Sequence, residues 1–431
     1  MKICIIGAGF TGLAAGLELL EYKPALLELE DEVGGLAAGF NTSGQKLERF
    51  YHHWFTNDEY IMGLVESLSL TNELDFLESK TGMYFNQSFF KLSSPIDLLK
   101  FKALTFISRI RLGVLVLWAR RVKDWMALES ITAKEWLTQI AGEQVYRVVW
   151  EPLLKGKFGP YAEKVSAVWF WKKLCLRGGS RGKNGKEQLV YFEGGFMRLA
   201  NEMASKITSN GGTITTGVKV EKILIENNQV KGLQTNNGIV ECDRVIVTTA
   251  LPILAKMVEG QADQQYINSL LQINYIGNVC LIMELDRSLS SYYWLNVNDP
   301  SFPFVGIIEH TNLVNKALYG DSHIVYLSKY LPTTDHIYKM DVEEFLDYAT
   351  PYIQKMFPNF ERSWIKKANL WKAEYSQPIV EKFYSSKIPE MVTPIGGLYL
   401  STMAQIYPED RGTNYAVQYG QKVAQLVKND L

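Results

Sequence analysis

Residues 2–35 read KICIIGAGFTGLAAGLELLEYKPALLELEDEVGG, and the fold is decided here. An apolar run, Ile3–Ile6, leads into Gly7-x-Gly9-x-x-Gly12. An apolar helix pattern through Leu13, Ala14 and Ala15 follows, then a second apolar run, Ala25–Leu29, with Glu28 near its end. Strand, glycine turn, helix and strand in this order predict a dinucleotide-binding βαβ unit. The first glycine permits a tight turn, the second lets backbone approach a pyrophosphate, and the third lets helix and strand pack closely. The helix N-terminus adds amide donors and the positive end of a dipole. Glu28 lies at the usual spacing of about 20 residues for an acid that accepts bonds from ribose hydroxyls, and an acid there disfavours a 2′-phosphate. Gly7, Gly9, Phe10, Thr11, Gly12, Glu28 and Leu29 are the first candidate cofactor contacts.

The glycine turn alone does not separate NAD from FAD. The separating feature is Glu28-x5-Gly34-Gly35, in which a second glycine pair offers a backbone track for a longer ligand. This arrangement resembles the long motif of the flavin amine oxidase superfamily, which includes protoporphyrinogen oxidase, phytoene desaturase, monoamine oxidase and UDP-galactopyranose mutase. The resemblance implies an α/β architecture. A Rossmann-like FAD-binding domain of glutathione-reductase type (residues 1–60, 191–250 and 386–431) is interleaved with a mixed α+β substrate domain (61–190 and 251–385). It also implies FAD contacts at Gly34, Gly35 and Leu36, although Leu36 stands where relatives carry a basic residue.

Further along, Val220 and Ile223 in GVKVEKI resemble the return strand whose valine backbone meets adenine, and DRVIVTTALP (243–252) resembles the element that re-enters the second domain. WKAEYSQP (371–378) resembles the segment that passes the flavin. GLYLSTMAQIYPEDRGTNYAVQYG (397–420) resembles the closing FAD motif. By that match Met403 and Gly412 lie beside the flavin, and the amides of Thr413 and Asn414 begin a helix aimed at its N1/O2 edge. No cysteine neighbours Ser401–Met403, so the expected FAD is non-covalent; the ribityl-binding glutamate is absent and Asp410 is its nearest substitute. EPLLKGKFGPYAEKVSA (151–167) and EGGFMRLANEMA (193–204) look most like protoporphyrinogen-oxidase-type proteins.

Bulk properties narrow the partners. The chain has 431 residues, 47% hydrophobic and 21% charged, enough for two or three domains with a large core. With 45 basic and 46 acidic residues it lacks the basic excess of a nucleic-acid binder. Four scattered cysteines without a CxxC, and five histidines without HExxH, predict no metal and a reducing, cytoplasmic setting; no signal peptide is read at the start. Residues 104–126, LTFISRIRLGVLVLWARRVKDWM, are too short and too interrupted by arginine to span a bilayer. They read as a buried helix of the substrate domain or as a helix in peripheral contact with lipid or an apolar substrate.

Two stretches are candidates for chemistry. FYHHWF (50–55) resembles the GPHIFH stretch of UDP-galactopyranose mutase, which sets a histidine over the flavin; His53 is the matching position and His52 its neighbour. Imidazole there would move protons near neutral pH, against the plainer reading of two hydrogen-bonded loop histidines. RGGSRGKNGK (177–186) reads as a solvated loop or as an anion-binding loop in which Arg177, Arg181 and Lys183 grip a phosphate-bearing or lipid-linked substrate. With one dinucleotide motif only, the expectation is an FAD-dependent oxidoreductase moving hydride from a small or lipid-linked molecule to flavin N5. A sugar-nucleotide mutase without net redox and a non-catalytic flavoprotein scaffold are the alternatives.

Overall fold

The computed structural model describes residues 1–91, 95–180 and 186–430. Ile3–Ile6, buried at every position, forms the middle strand of a five-stranded parallel sheet. Its neighbours are Ala25–Leu27 and Arg244–Val247, with Ile5 opposite Leu26 on one side and Ile246 on the other. Thr213–Thr215 and Leu398–Leu400 form the two edges. A strand covered on both faces needs apolar side chains in both directions, which accounts for the unbroken run Ile-Cys-Ile-Ile. Ile3 and Ile5 face a layer of helices, whereas Cys4 and Ile6 face Ile223, Val230 and Leu233 of a three-stranded antiparallel meander (Val220–Glu226, Gln229–Thr235, Gly238–Glu241). Full burial of side chains such as Ile5 and Leu26 contributes about 1.5–3 kcal/mol each.

The helix Phe10–Glu18 lies between Phe196–Ser209 and the closing helix Thr413–Asn429. Gly420 makes the last crossing close: a Cβ there would overlap the Thr11 carbonyl oxygen.

The second layer is a seven-stranded mixed sheet, ordered Ile365–Pro378, Tyr275–Leu285, His323–Leu331, Gly306–Glu309, Trp294–Val297, Thr81–Phe85 and Ser88–Lys91. Val342–Met356, opened by a capping box between Asp341 and Glu344, packs Phe345, Leu346 and Ile353 against Val279, Leu281 and Met283. The strand Gln188–Phe192 pairs with both Trp54–Phe55 and Leu74–Glu78, so one small sheet ties the first layer to the second.

Helices between residues 95 and 179 roof the second sheet. One of them, Phe106–Ala119, corrects the reading of 104–126 as a buried helix. Leu112, Leu115 and Ala119 are buried, but Phe106, Ile107, Ile110, Val114, Leu117 and Trp118 are 48–70% exposed. Among the described residues, no helix is long and apolar enough to cross a membrane.

Candidate active site

The two glycine turns are laid against each other. Gly7 has φ +99°, and a Cβ on Gly12 would overlap the Gly7 carbonyl oxygen, so both positions demand glycine. Gly34 donates its amide to Ala8 O at 2.9 Å, and a Cβ on Gly35 would come within 3.2 Å of Gly9 Cα. Gly9 caps the helix without a side chain and Leu13 N is the first amide bonded back to it, at 2.9 Å. The amides of Phe10, Thr11 and Gly12 therefore have no acceptor within the helix and form a donor set at its positive end. The Phe10 ring turns inward onto Phe196, with centroids 6.5 Å apart.

Glu28 is buried at the end of its strand. Its Oε2 accepts from Ala8 N at 2.7 Å and its Oε1 from Glu30 N at 2.9 Å, which locks the carboxylate onto the first glycine turn. Leu29 points outward and is 59% exposed. Val218 reaches this strand end, donating its amide to Glu28 O at 2.8 Å. Val220 lies farther along, paired with Thr235 in the meander.

Arg49 is a residue the sequence reading missed. Its amide bonds Ala38 O at 3.0 Å, its guanidinium lies 4.5 Å over the Trp371 ring, and one terminal nitrogen is 3.4 Å from Glu30. It thus bridges the region between the second glycine turn and the Glu28 strand. Its Nε is buried without a hydrogen-bond partner. A cation therefore stands between the second glycine turn and the Glu28 strand.

The closing segment brings its residues to the other end of the site. Gly412 caps the helix Thr413–Asn429, again without a side chain, leaving the first-turn amides of Thr413 and Asn414 as donors. The Thr413 hydroxyl accepts from Trp54 Nε1 at 2.7 Å. The Asn414 side-chain oxygen is already used, accepting from the amides of Tyr60 and Ile61 at 2.9 and 3.0 Å. Met403 opens a short turn, Met403–Gln405. Asp410, the nearest substitute for a ribityl-binding glutamate, lines the central cavity. It is buried, accepts from Trp169 Nε1 at 2.9 Å and from Lys173 Nζ at 2.5 Å, and has Lys157 at 3.9 Å. Burial alone would raise its pKa, but Lys157 and Lys173 outweigh burial and hold the carboxyl well below the usual carboxylate range. Its oxygens bond side chains on helices of the roof.

Between these ends lies a cavity of about 340 Å³. Leu36, His52, His53, Gly412 and Thr413 line it from the second glycine turn, the loop after it and the start of the closing helix. Trp150, Trp169, Tyr293, Trp294 and Ser328 line it from the roof and the large sheet, so the wall is rich in aromatic rings, with Asp58, Lys157, Lys173, Glu187 and Arg411 as charged neighbours. His53 bonds Tyr293 Oη through Nδ1 at 2.9 Å and meets Phe55 and Trp294 edge-on, 5.5 and 5.7 Å between ring centroids. The His52 Nδ1–H donates to Phe50 O at 2.6 Å, which fixes its tautomer. Burial, opposed by that carbonyl and assisted by Arg411, lowers the His52 pKa to about 4, so it is neutral at pH 7. Arg411 donates to Gln377 Oε1 and Tyr330 Oη at 2.8 and 3.2 Å.

Lys157, Tyr293 and Arg411 were not legible in the sequence; Arg411 adjoins the Asp410-x-Gly412 stretch, the only local signal for it. Of the expected substrate-binding residues, Arg177 falls in the last turns of the helix Ala167–Gly179, and Arg181 and Lys183 lie outside the described residues.

Two glycine turns in backbone contact, two sets of uncapped helix amides, a buried carboxylate and an unpartnered Arg49 Nε fit a dinucleotide carrying a ring system into the cavity. The comparisons agree. A family model described as flavin containing amine oxidoreductase matches residues 10–428. Among solved structures, a protein provisionally named protoporphyrinogen oxidase from Exiguobacterium sp. 255-15 is similar at 17% identity and a TM-score of 0.80, covering 100% of this chain and 99% of that one. A reduced UDP-galactopyranose mutase follows at 16% and 0.77, covering 100% and 96%. Cyclohexylamine oxidase from Brevibacterium oxydans IH-35A gives 14% and 0.75, covering 100% and 99%. At these identities the structures establish the shared fold. No curated protein sequence matches this chain. The family match over nearly the whole length, joined to the cradle above, shows that the chain belongs to the flavin-containing amine oxidoreductase family and is an FAD-dependent oxidoreductase.

Proposed function

We propose that the chain holds FAD non-covalently along the two glycine turns and oxidises a small, largely apolar molecule in the aromatic cavity. The observation that carries this reading is one continuous cavity lined both by Leu36, Gly412 and Thr413, from the cofactor loops, and by Trp294 and Ser328, from the large sheet. A ring entering past Leu36 would face a substrate resting on that sheet. FAD, when bound, supplies a two-electron acceptor that takes hydride at N5.

The remaining roles belong to side chains of the chain. Glu28 would hold the ribose, the amides of Phe10, Thr11 and Gly12 the diphosphate, and Arg49 would add the charge that Leu36 lacks. Arg411 and the amides of Thr413 and Asn414 place positive potential at the closing helix, which favours negative charge on the ring edge facing it. The aromatic wall binds apolar substrate and excludes water. His53, its ring set by Tyr293, takes the proton that leaves with substrate oxidation. His52 stays neutral and keeps the loop in place through Phe50. Cys175 donates to Ala119 O at 3.5 Å and the other three cysteines are buried elsewhere; none lines the cavity, which supports a cofactor without a cysteinyl bond.

The test is an anaerobic titration of the yellow protein with amines and with apolar phosphorylated compounds. Bleaching of the flavin absorbance by one of these classes is the expected result. If no compound bleaches it, while a pre-reduced sample rearranges a sugar nucleotide, the oxidase reading fails in favour of a mutase.

A further inference from the structure

We propose that the helix Phe106–Ala119 docks this protein on an anionic lipid surface. Single exposed apolar side chains are ordinary on soluble proteins, but a contiguous stripe is not. Phe106, Ile107, Ile110, Val114, Leu117 and Trp118 are each 48–70% exposed. At about 100° per residue they fall within roughly 120° of the helix circumference. Leu99 and Met126, 52% and 65% exposed, add apolar surface before and after the helix.

The stripe belongs to a firmly held helix. Thr105 caps its start, and Gln144 Oε1 accepts from Thr105 Oγ1 at 3.0 Å and from Ser108 Oγ at 2.6 Å. Arg109 reaches back to Leu104 O and Leu99 O at 2.9 and 2.5 Å. On the inner side, Trp171 Nε1 donates to Ala119 O at 2.7 Å. The apolar face is therefore presented outward by packing behind it.

Charge selects the occupant. Residues 106–124 contain five basic side chains and one acidic, in a chain whose net charge is −1. On the same helical projection Arg111 borders the stripe on one side and Arg109 and Arg120 on the other, with Arg121 at its C-terminal end. Apolar residues that enter the acyl boundary, edged by arginines at headgroup level, are the pattern of a helix lying in the plane of a membrane, about 5–10 Å deep. A second copy of the chain would bring the same arginines against one another, which disfavours that partner. Because no described helix can span a bilayer, the contact is peripheral. The neighbouring helix Ala167–Gly179 carries Trp169, Phe170 and Leu174 into the cavity wall, so the active site lies one helix away from the lipid face.

The flavin-loaded protein should be sedimented with vesicles of phosphatidylcholine mixed with phosphatidylglycerol, and with vesicles of phosphatidylcholine alone. Wild type is expected to bind the mixed vesicles more tightly, and less so as salt rises. The double variant Ile107→Ser/Trp118→Ser should bind roughly tenfold more weakly or worse to both. Arg111→Ala/Arg121→Ala should lose about fivefold per charge on the mixed vesicles only. Retained flavin and unchanged circular dichroism in both variants show that the fold is intact, and the sedimentation result does not depend on which substrate is oxidised. The proposal is overturned if wild type binds neither vesicle, or if both variants bind as wild type does. It is equally overturned if wild type self-associates through this face, the serine variant abolishes that association, and no vesicle binding is seen.

Discussion

Replacing Glu28 by alanine tests the cofactor cradle at its most constrained point. The carboxylate has two tasks: it would hold the ribose of FAD, and it already accepts from Ala8 N at 2.7 Å and Glu30 N at 2.9 Å. Loss of charge-assisted ribose bonds costs about 1.5–3 kcal/mol, or roughly 10- to 150-fold in Kd. Loss of the second task adds a penalty. Ala8 is wholly buried, so its amide is stranded at a cost of about 1–3 kcal/mol, whereas Glu30 is exposed and water replaces the missing acceptor. That second penalty is present without cofactor, so Glu28→Ala should lower the stability of the apoprotein as well as its affinity. Glu28→Gln separates the tasks, because an amide oxygen still serves Ala8 N while the negative charge is gone. The expected order of FAD affinity is wild type, Gln, then Ala, with an apoprotein melting midpoint near wild type for Gln and lower for Ala. Titrating apoprotein with FAD by quenching of flavin fluorescence gives the affinities. A correctly folded Glu28→Ala protein that binds FAD at the wild-type Kd would refute the assignment.

Gly12→Ala forces a Cβ into the Gly7 carbonyl oxygen and should cost roughly 1–3 kcal/mol or more, with FAD lost from the purified protein; colour and melting temperature report this. His53→Ala should keep its FAD yet lose about 100- to 10,000-fold in turnover with any substrate found by anaerobic titration. His52→Ala should matter less, because a histidine held neutral down to about pH 4 does not titrate in the working range; equal losses in the two would contradict the division of roles. His310 is buried against Tyr319, 2.8 Å from its hydroxyl, and burial lowers its pKa to about 3. Unfolded histidine takes up a proton near pH 6.5, so the unfolded state binds more protons between about 6.5 and 3 and stability falls as pH falls through that window. Between pH 7 and 5 this one group should account for about 2 kcal/mol, and His310→Gln should remove that part of the slope in urea unfolding measured at the two values.

The cradle was legible because it is local. Gly7, Gly9, Gly12, Glu28, Gly34 and Gly35 lie within one βαβ unit; turn sterics restrict the glycines, and two backbone amides call for the Glu28 carboxylate. Val218 shows what such reading passes over: it lies just before the strand Val220–Glu226 and meets Glu28 through its backbone amide, a contact that carries no side-chain pattern. The cavity was not legible, because its walls are assembled by tertiary contact. Asp410 was visible as an acid near a flavin loop, whereas Lys157 and Lys173 approach it from helices some 240 residues earlier in the chain, with nothing in either segment announcing the pairing. Apolarity of 104–126 was equally plain, but composition does not say which side of a helix the rest of the protein covers.

The parallel sheet described above also fixes an order of events during synthesis. Within this sheet Ile3–Ile6 and Ala25–Leu27 are synthesised before their partners, and the sheet waits for Arg244–Val247 and then for Leu398–Leu400. At roughly 5–20 residues per second, the first strand spends on the order of 20–80 s before its last partner exists. Throughout that interval the first glycine turn is present without the closing helix that rests on Thr11 and carries the donors of Thr413 and Asn414. Tight cofactor capture is therefore a late step, coupled to arrival of the final strand and helix. A nascent chain arrested before residue 398 should bind FAD weakly however long it is incubated, and cofactor supply should influence the yield of finished protein more than the behaviour of its early segments.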